Sequence, residues 1–178
     1  MSKLRTQNAP VYDAFQCAQL LGEIDPVSAP EAREGFITFF DPGWSILRLR
    51  QSFANGGFFF PQSWYDNEPF ARFEEEPRYR QLRMEPVPGS LNKSFAKQQD
   101  LLIEHEIPYA RVVLMGMFIH FMATRERLFP DCYVRCVDQR SNGDRVYVGH
   151  FDCDGFRVLT HGDDYWDDNL GLASSRKL

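Results

Sequence analysis

Aspartate residues cluster in the last part of the chain at spacings that could bind a cation. Asp152 and Asp154 come directly before a glycine, and Asp163 and Asp167 follow in the next acidic segment. Carboxylate oxygens are the ligands that calcium prefers in proteins. An EF-hand loop is excluded, because placing Asp152 and Asp154 at its third and fifth positions puts His161 last, where that loop requires a carboxylate. The aspartates therefore predict either a calcium site of another type or a set of solvated turn residues.

A second group of possible metal ligands consists of thiols and imidazoles. Cys132 and Cys136 fall on one face of a predicted strand and could reach a metal ion together with His150 or Cys153. Structural zinc sites usually present their ligands on turns, and these two cysteines lie on a strand, so we expect ordinary buried thiols. His120 lies in the most apolar segment, where we expect a hydrogen-bonded core histidine. These residues therefore predict no cofactor, and calcium is the alternative.

The chain carries none of the short motifs that identify common enzyme classes. It has no phosphate-binding Gly-rich loop, no nucleophile elbow and no His-Glu-x-x-His metal motif. A Ser, His and acid set can be assembled from any chain of this size, and no local spacing here favours one set. The sequence therefore favours a non-enzymatic protein, and a metal-dependent enzyme that uses the acidic loops is the alternative.

Charge and hydropathy exclude further classes of partner. The 178 residues include 20 Lys and Arg against 25 Asp and Glu, a formal net charge of −5. Affinity for nucleic acid rests on clustered Lys and Arg, so we expect no nucleic-acid partner. The longest apolar stretch, 112–123, is shorter than the roughly 20 residues of a membrane span, so we expect no membrane insertion. No apolar segment follows the basic N-terminus, which predicts a cytoplasmic protein by default.

Hydrophobic periodicity and turn residues predict an α+β protein, with helices packed against antiparallel sheet and a C-terminal β-meander. We expect a single domain over 1–178, made of an N-terminal helix and strands (1–52), a helical middle (53–130) and a β-rich tail (131–178). Helices are predicted at 11–24, 94–106 and 109–128, with a short one that ends at the solvated glutamates 74–76. Strands are predicted at 36–40, 45–53, 58–60, 79–84, 132–136, 145–151, 156–160 and 170–174, with hairpin turns at 55–57 and 141–144.

The tail lacks five residue types that the rest of the chain uses freely. Glu, Lys, Gln, Trp and Met make up 29 of the first 126 residues, but only Gln139 and Trp166 occur among residues 127–175. A β-rich segment avoids Glu, Lys and Gln, which is the simpler explanation. The alternative is adenine-directed mutagenesis of AAC or AAT codons, which can produce many residue types but none of these five.

Short motifs in residues 53–178 resemble a group of uncharacterised bacterial proteins from candidate-phylum and phage-associated genomes. The motifs are Trp64-Tyr65, Glu126-Arg127-Leu128-Phe129-Pro130, Tyr133-Val134-Arg135, Val148-Gly149, Phe151-Asp152, Trp166-Asp167 and the ending Leu170-Gly171-Leu172-Ala173. In that group, fixed elements of this kind frame highly variable positions. The pattern is similar to the target proteins of diversity-generating retroelements, whose variable C-termini commonly form a C-type-lectin-like binding face.

The resemblance implies a binding protein with a diversified C-terminal surface and an unidentified protein or surface ligand as its partner. It implies a C-type-lectin-like form of the α+β class, although Gly155-Phe156-Arg157, which usually forms the last strand, lies well inside this chain. A phage or mobile-element structural protein with the same scaffold is another alternative. The implied scaffold residues are Val146, Val148, Phe156 and Leu172. The implied ligand-binding residues are Tyr147, His150, Cys153, Arg157, His161, Asp163, Asp164, Tyr165 and Asp168.

Overall fold

Two four-stranded sheets and one long helix form most of the structure. It is a computed structural model, and it describes residues 11–13, 29–103 and 105–176. The strands are β1 (Val11–Tyr12), β2 (Phe36–Asp41), β3 (Arg78–Arg83), β4 (Tyr133–Gln139), β5 (Arg145–Asp152), β6 (Gly155–His161), β7 (Leu170–Leu172) and β8 (Ser175–Arg176). The helices are α1 (Ile46–Ser52), α2 (Pro69–Arg72), α3 (Phe95–Gln99) and α4 (Ala110–Thr124). The predicted α+β class is confirmed.

The first sheet has the strand order β1-β2-β3-β8. Its centre is the antiparallel pair β2 and β3, in which Phe36 lies opposite Arg83 and Asp41 lies opposite Arg78. β1 runs parallel to β2, and β8 runs antiparallel to β3. The strands predicted at 36–40 and 79–84 are therefore confirmed. β8 falls outside the predicted strands and places Ser175 and Arg176 beside β3.

The second sheet has the strand order β6-β5-β4-β7. β4, β5 and β6 form the antiparallel meander that the turn at 141–144 predicts. The last strand differs from a meander, because β7 pairs in parallel with β4. The loop 162–169 returns the chain to the end of the sheet where β4 begins, so β7 must run in the same direction as β4.

The long helix α4 supplies the centre of the core. It is buried from Ala110 to His120 and contacts β2 and β3 of the first sheet and β4 and β5 of the second. One hydrophobic cluster therefore includes Leu82, Phe118 and Val148, which come from the two sheets and the helix between them. The buried helix predicted at 109–128 is confirmed, although it ends at Thr124.

The segment 45–53 forms a helix, so the predicted strand there was wrong. The Ser45 hydroxyl caps α1 by accepting a 3.3 Å hydrogen bond from the backbone N–H of Arg48. Ile46 and Leu49 are three residues apart and both are buried, which matches the period of a helix. The cap and the spacing together outweigh the alternation that suggested a strand.

The hairpin predicted around 55–57 was also wrong. Ala54–Gly56 form a single 3-10 turn, and helix α1 directly precedes it. The following phenylalanines pack instead of pairing with that segment. The Phe58 ring lies 5.1 Å from the ring of Phe118 in α4, and Phe59 forms an isolated bridge with Phe156 of β6. Long-range packing therefore replaces the local hairpin.

Three predicted helices are shorter or different in the structure. Val11–Tyr12 form strand β1, not the start of a helix, and most of the predicted helix 11–24 lies outside the described residues. The helix predicted at 94–106 ends at Gln99, and the loop after it packs Leu102 against the small cluster of Val87 and Phe95. α2 spans only Pro69–Arg72.

Four charged side chains meet at the beginning of α4, and we call them the ion cluster. The Asp41 carboxylate accepts hydrogen bonds from Arg80 at 3.2 Å and from Arg111 at 2.9 Å. Both guanidinium groups also contact Glu75. Gly43, at φ 77°, lets the chain at Glu75 approach, because a Cβ there would collide with the carbonyl oxygen of Glu75. The prediction of a solvated glutamate run is therefore wrong for Glu75.

A second buried carboxylate fastens β4 to the same helix. The Asp138 side chain accepts a 2.5 Å hydrogen bond from the backbone N–H of Ala110, the first residue of α4. Burial raises the pKa of Asp138 to about 6, although that hydrogen bond and the charges of Arg111 and Arg145 oppose the shift. Asp138 therefore binds a proton more tightly in the folded chain than in the unfolded one.

We predict that Arg111→Met lowers the free energy of unfolding by about 3 to 5 kcal/mol, because it leaves buried carboxylates without a full set of counter-charges. The measurement is urea denaturation followed by circular dichroism. Arg125→Met at the exposed end of the same helix is the control and should change stability by less than about 0.5 kcal/mol. Equal effects of the two substitutions would contradict a structural role for the ion cluster.

The raised pKa of Asp138 predicts a pH-dependent stability. Below about pH 4 the Asp138 carboxyl is protonated in both the folded and the unfolded chain. As the pH rises, the unfolded chain releases this proton first, so the stability contributed by the protonated carboxyl is lost by the time the pH passes about 6. We therefore expect the free energy of unfolding of Asp138→Asn to rise by up to about 3 kcal/mol, relative to that of the wild type, between pH 4 and pH 7. Urea denaturation at several pH values measures this difference. Gln139→Ala should keep the wild-type profile, and a constant difference for Asp138→Asn would refute the prediction.

Candidate functional site

Five aromatic rings form a continuous row on the face of the second sheet that points away from α4. In order they belong to His150, Tyr133, Tyr147, His161 and Tyr165, and we call the row the ring ladder. The Tyr133 centroid lies 5.4 Å from that of His150, which stacks on it, and 5.4 Å from that of Tyr147, which meets it edge-on. The His161 ring stacks on Tyr147 at 6.1 Å and on Tyr165 at 4.0 Å.

Strand alternation and register position the central rings. Successive side chains of a strand point to opposite faces. In β5, Val146 and Val148 enter the core, so Tyr147 between them points to the other face. Strand pairing then places Tyr133 of β4 and His161 of β6 on the same face as Tyr147. The ladder is thus a direct result of the hairpin register.

A bulge in β5 adds His150 to the row. Gly149, at φ 144°, lies so close to β4 that a Cβ there would collide with the carbonyl oxygen of Cys132. His150 follows in the left-handed region at φ 46°, and its backbone N–H donates to the same Cys132 carbonyl at 2.8 Å. This distortion turns the His150 ring onto Tyr133, which regular alternation does not provide.

The rings differ in exposure. Tyr147 is 6 % exposed, and burial raises the pKa of its hydroxyl well above the usual range, so this group stays protonated. His161 is exposed, and Tyr165 is 36 % exposed. The Tyr165 hydroxyl donates a 2.9 Å hydrogen bond to Asp167, which raises the pKa of Tyr165. Tyr147 therefore supports the ladder from below, and the outer rings form its accessible surface.

A buried arginine holds the loop 162–169 against the ladder. The Arg135 side chain is almost fully buried next to Tyr147, and burial lowers its pKa. Its guanidinium donates to the carbonyl oxygen of Lys93 at 2.9 Å, to the Gln98 side chain at 2.8 Å and to the carbonyl oxygen of Tyr165. Three acceptors from two segments therefore converge on one cation.

The four aspartates proposed as a metal set occupy separate positions. Asp152 and Asp154 flank the turn between β5 and β6, where Arg157 contacts Asp152 at 2.9 Å and Asp154 at 3.6 Å. Asp163 follows the opposite end of β6 and accepts hydrogen bonds from both Nε and Nη2 of Arg145, at 3.0 and 3.1 Å. With a rise of about 3.3 Å per residue, the length of β6 separates the two pairs.

The turn between β5 and β6 is the one place in the described ranges where potential metal ligands converge. Side-chain atoms of Asp152, Cys153 and Asp154 lie within 4.8 Å of one another. Neither Asp163 nor Asp167 belongs to this group. Asp167 accepts hydrogen bonds from Tyr165 and from the backbone of Asn169, and the latter bond is the main reason that the pKa of Asp167 is lowered.

Burial divides the residues implied by the resemblance into two sets. The implied scaffold residues are all buried: Val146, Val148, Phe156 and Leu172. Tyr147 is also buried. The other implied ligand-binding residues are exposed or half-buried: His150, Cys153, Arg157, His161, Asp163, Asp164, Tyr165 and Asp168. The ladder brings four of the nine implied ligand-binding residues together, and Asp163 and Asp164 lie in the adjoining loop.

Sequence reasoning missed three residues of this surface. Tyr133 joins the two ends of the ladder, Arg135 anchors the loop, and Trp166 is 59 % exposed beside Tyr165. Tyr133 and Arg135 alternate in a predicted strand beside a strong hairpin turn, which was the available signal. The loop's position against Arg135 has no such local signal.

The other residues considered as metal ligands in the sequence, Cys132, Cys136 and His120, are buried or half-buried. Cys136 is fully buried and Cys132 is half-buried, and burial raises the pKa of the Cys132 thiol to about 11. His120 is buried in α4, where burial lowers its pKa. The prediction of structural thiols and of a core histidine is consistent with this burial. Cys153 alone of the three described cysteines is exposed.

Comparisons with known proteins give no family assignment. No family model, curated protein or solved structure matches the chain. Within the described parts of the chain, no helix is long and apolar enough to cross a membrane.

We predict that Arg135→Met loosens the loop at the end of the ladder. The substitution leaves three acceptors without a donor and should cost about 3 kcal/mol of stability. The amides of Phe95 and Asn92 donate to carbonyls of Asp163 and Asp167 in this loop. Hydrogen exchange should therefore accelerate at least tenfold in 90–99 and 162–169 while α4 stays protected. Arg127→Met is the exposed control, and unchanged exchange in the loop would disprove the anchoring role.

Proposed function

We propose that this chain is a non-enzymatic binding protein that presents the ring ladder and the loop 162–169 to a protein or a surface ligand. The observation that carries the proposal is the continuous row of five rings, four on one sheet face and the fifth in the adjoining loop. Tyrosine rings give a large contact area at a low cost in side-chain entropy, and they dominate many binding surfaces. Histidine and aspartate next to them add hydrogen bonds of adaptable geometry.

The rigidity of the sheet supports this proposal. The ladder rests on β4, β5 and β6, whose opposite face packs into the main core through Val134, Val148 and Val158. A site on strands is held more precisely than one on free loops. Arg135 extends this support to Tyr165, because it fixes the loop carbonyl. A partner would therefore meet a surface that is ordered before binding, which reduces the entropy cost of association.

The division between buried and exposed residues supports the finer proposal, that the surface is diversified by a retroelement. Substitution at exposed positions changes the free energy of unfolding little, whereas substitution in the core lowers it strongly. Phe156 and Val148 are fully buried beneath the sheet, while His161, Asp164 and Asp168 are exposed. Such a scaffold tolerates many side chains on its outer face.

A displayed random peptide library, panned against the full chain, tests the binding role. We expect selected peptides to bind the double variant His161→Ala, Tyr165→Ala at least tenfold more weakly, because aromatic anchors carry a large share of binding energy. Thermal unfolding should be nearly unchanged, since both side chains are exposed. Asn142→Ala, in the exposed turn between β4 and β5, is the control. Selected peptides that bind the double variant as well as the wild type would exclude the ladder as the binding surface.

The genomic DNA around the gene tests the retroelement separately. We expect a near-identical template repeat and a reverse transcriptase gene, with differences at adenines in the codons for exposed positions such as His161 and Asp164. The codons for Val146 and Phe156 should match the template. The absence of both genetic elements would remove diversification from the proposal and leave the binding role to the peptide experiment.

A further inference from the structure

A cavity of about 430 Å³ opens beside the ion cluster, at the junction of the two sheets. Its wall includes Arg78 and Arg80 of β3, the residues that lead into α4 and Val137 near the end of β4. Val137 is four positions along β4 from Tyr133, so the cavity is separate from the ring ladder. Its volume falls within the roughly 300 to 1,000 Å³ that small-molecule sites occupy.

The cavity has a positively charged side. Arg80 is held by Asp41 and Glu75 through its Nε and Nη2 atoms, and its side chain is 7 % exposed. Its Nη1 donates no hydrogen bond to a described residue. The Arg78 side chain is 55 % exposed, and its Nη2 donates a 3.1 Å hydrogen bond to Glu75. Two guanidinium groups, one of them rigidly held, therefore line one wall with donors to spare, which suits a carboxylate.

Glu75 and Glu106 both line the cavity, and Glu75 is already paired with Arg78 and Arg80. Glu106 lines the cavity and is half-buried. Its backbone is fixed by two 2.9 Å hydrogen bonds with Ser175, and its side chain accepts a 3.5 Å hydrogen bond from the Ser175 hydroxyl. Within the described residues it forms no ion pair. Glu75, by contrast, is already neutralised by the arginines, so Glu106 is the carboxylate available to a cation.

The rest of the wall is apolar. Tyr109 and Val137 line the cavity and are 36 % and 37 % exposed, and Phe73 packs on Tyr109 with 5.0 Å between ring centroids. A backbone hydrogen bond of 3.1 Å from Val137 to the Pro108 carbonyl holds these surfaces together. Large apolar side chains left open beside charged groups are typical of a ligand site.

We propose that this cavity binds a small zwitterion of the α-amino acid class with an apolar side chain. The carboxylate of the ligand pairs with Arg78 and Arg80, its ammonium pairs with Glu106, and its side chain lies against Tyr109 and Val137. The site does not depend on the ring ladder.

Isothermal titration of the full chain with leucine and phenylalanine tests this proposal. N-acetyl-leucine and leucinamide, which lack the cation and the anion respectively, should bind at least tenfold more weakly than leucine. Arg78→Gln and Glu106→Gln should each weaken leucine binding at least tenfold. Both side chains are partly exposed, so the variants should fold, and thermal unfolding checks that they do.

Arg125→Gln and Glu126→Gln, at the opposite end of α4, are matched controls that should leave leucine binding unchanged. Three results would overturn the proposal. The first is that neither amino acid binds. The second is that a capped form binds as tightly as leucine, which indicates a site for a simple anion or cation. The third is that the two cavity variants bind leucine as the controls do.

Discussion

The ion cluster is the contact on which the arrangement of the two sheets depends. Arg111 lies in the first turn of α4, and its charge is balanced by Asp41 at the end of β2 and by Glu75 before β3. Removing charges from water is costly, so they are tolerated here only because each cation meets two carboxylates. Asp138 fastens β4 of the second sheet to the same end of α4. These contacts fix the first turn of α4 relative to strands of both sheets, and so determine how the two sheets pack on the helix.

The second sheet separates packing from recognition between its two faces. The inner face contributes valines and Phe156 to the core around α4. The outer face carries the ring ladder, with Arg135 buried between the sheet and the loop that ends the row. Successive residues of a strand point to opposite faces of the sheet. One short stretch of sequence can therefore hold apolar residues that pack in the core and, between them, varied residues that form the outer surface.

How far the sequence predicted the fold depends on how local the determining contacts are. The meander followed from Asn142-Gly143 and alternating apolar residues, because hairpin register is set by neighbouring residues. The helix at 46–52 and the packing of Phe58 on Phe118 were missed, since a cap and a contact between distant segments decide them. Four rings of the ladder belong to residues that the resemblance implied, namely Tyr147, His150, His161 and Tyr165, whereas Tyr133 joins them only through strand pairing.

The sequence by itself determined the α+β class, the buried helix and the acidic, tyrosine-rich and histidine-rich character of the tail, because composition and short-range periodicity carry that information. Tertiary structure decided which of those side chains meet. It paired Asp163 with Arg145, separated it from Asp152 and Asp154, and aligned four rings of β4, β5 and β6 with a fifth from the loop 162–169. It also placed Arg78 and Glu106 on one cavity. These juxtapositions join residues far apart in the chain, and the packing of the two sheets on α4 brings them within contact distance.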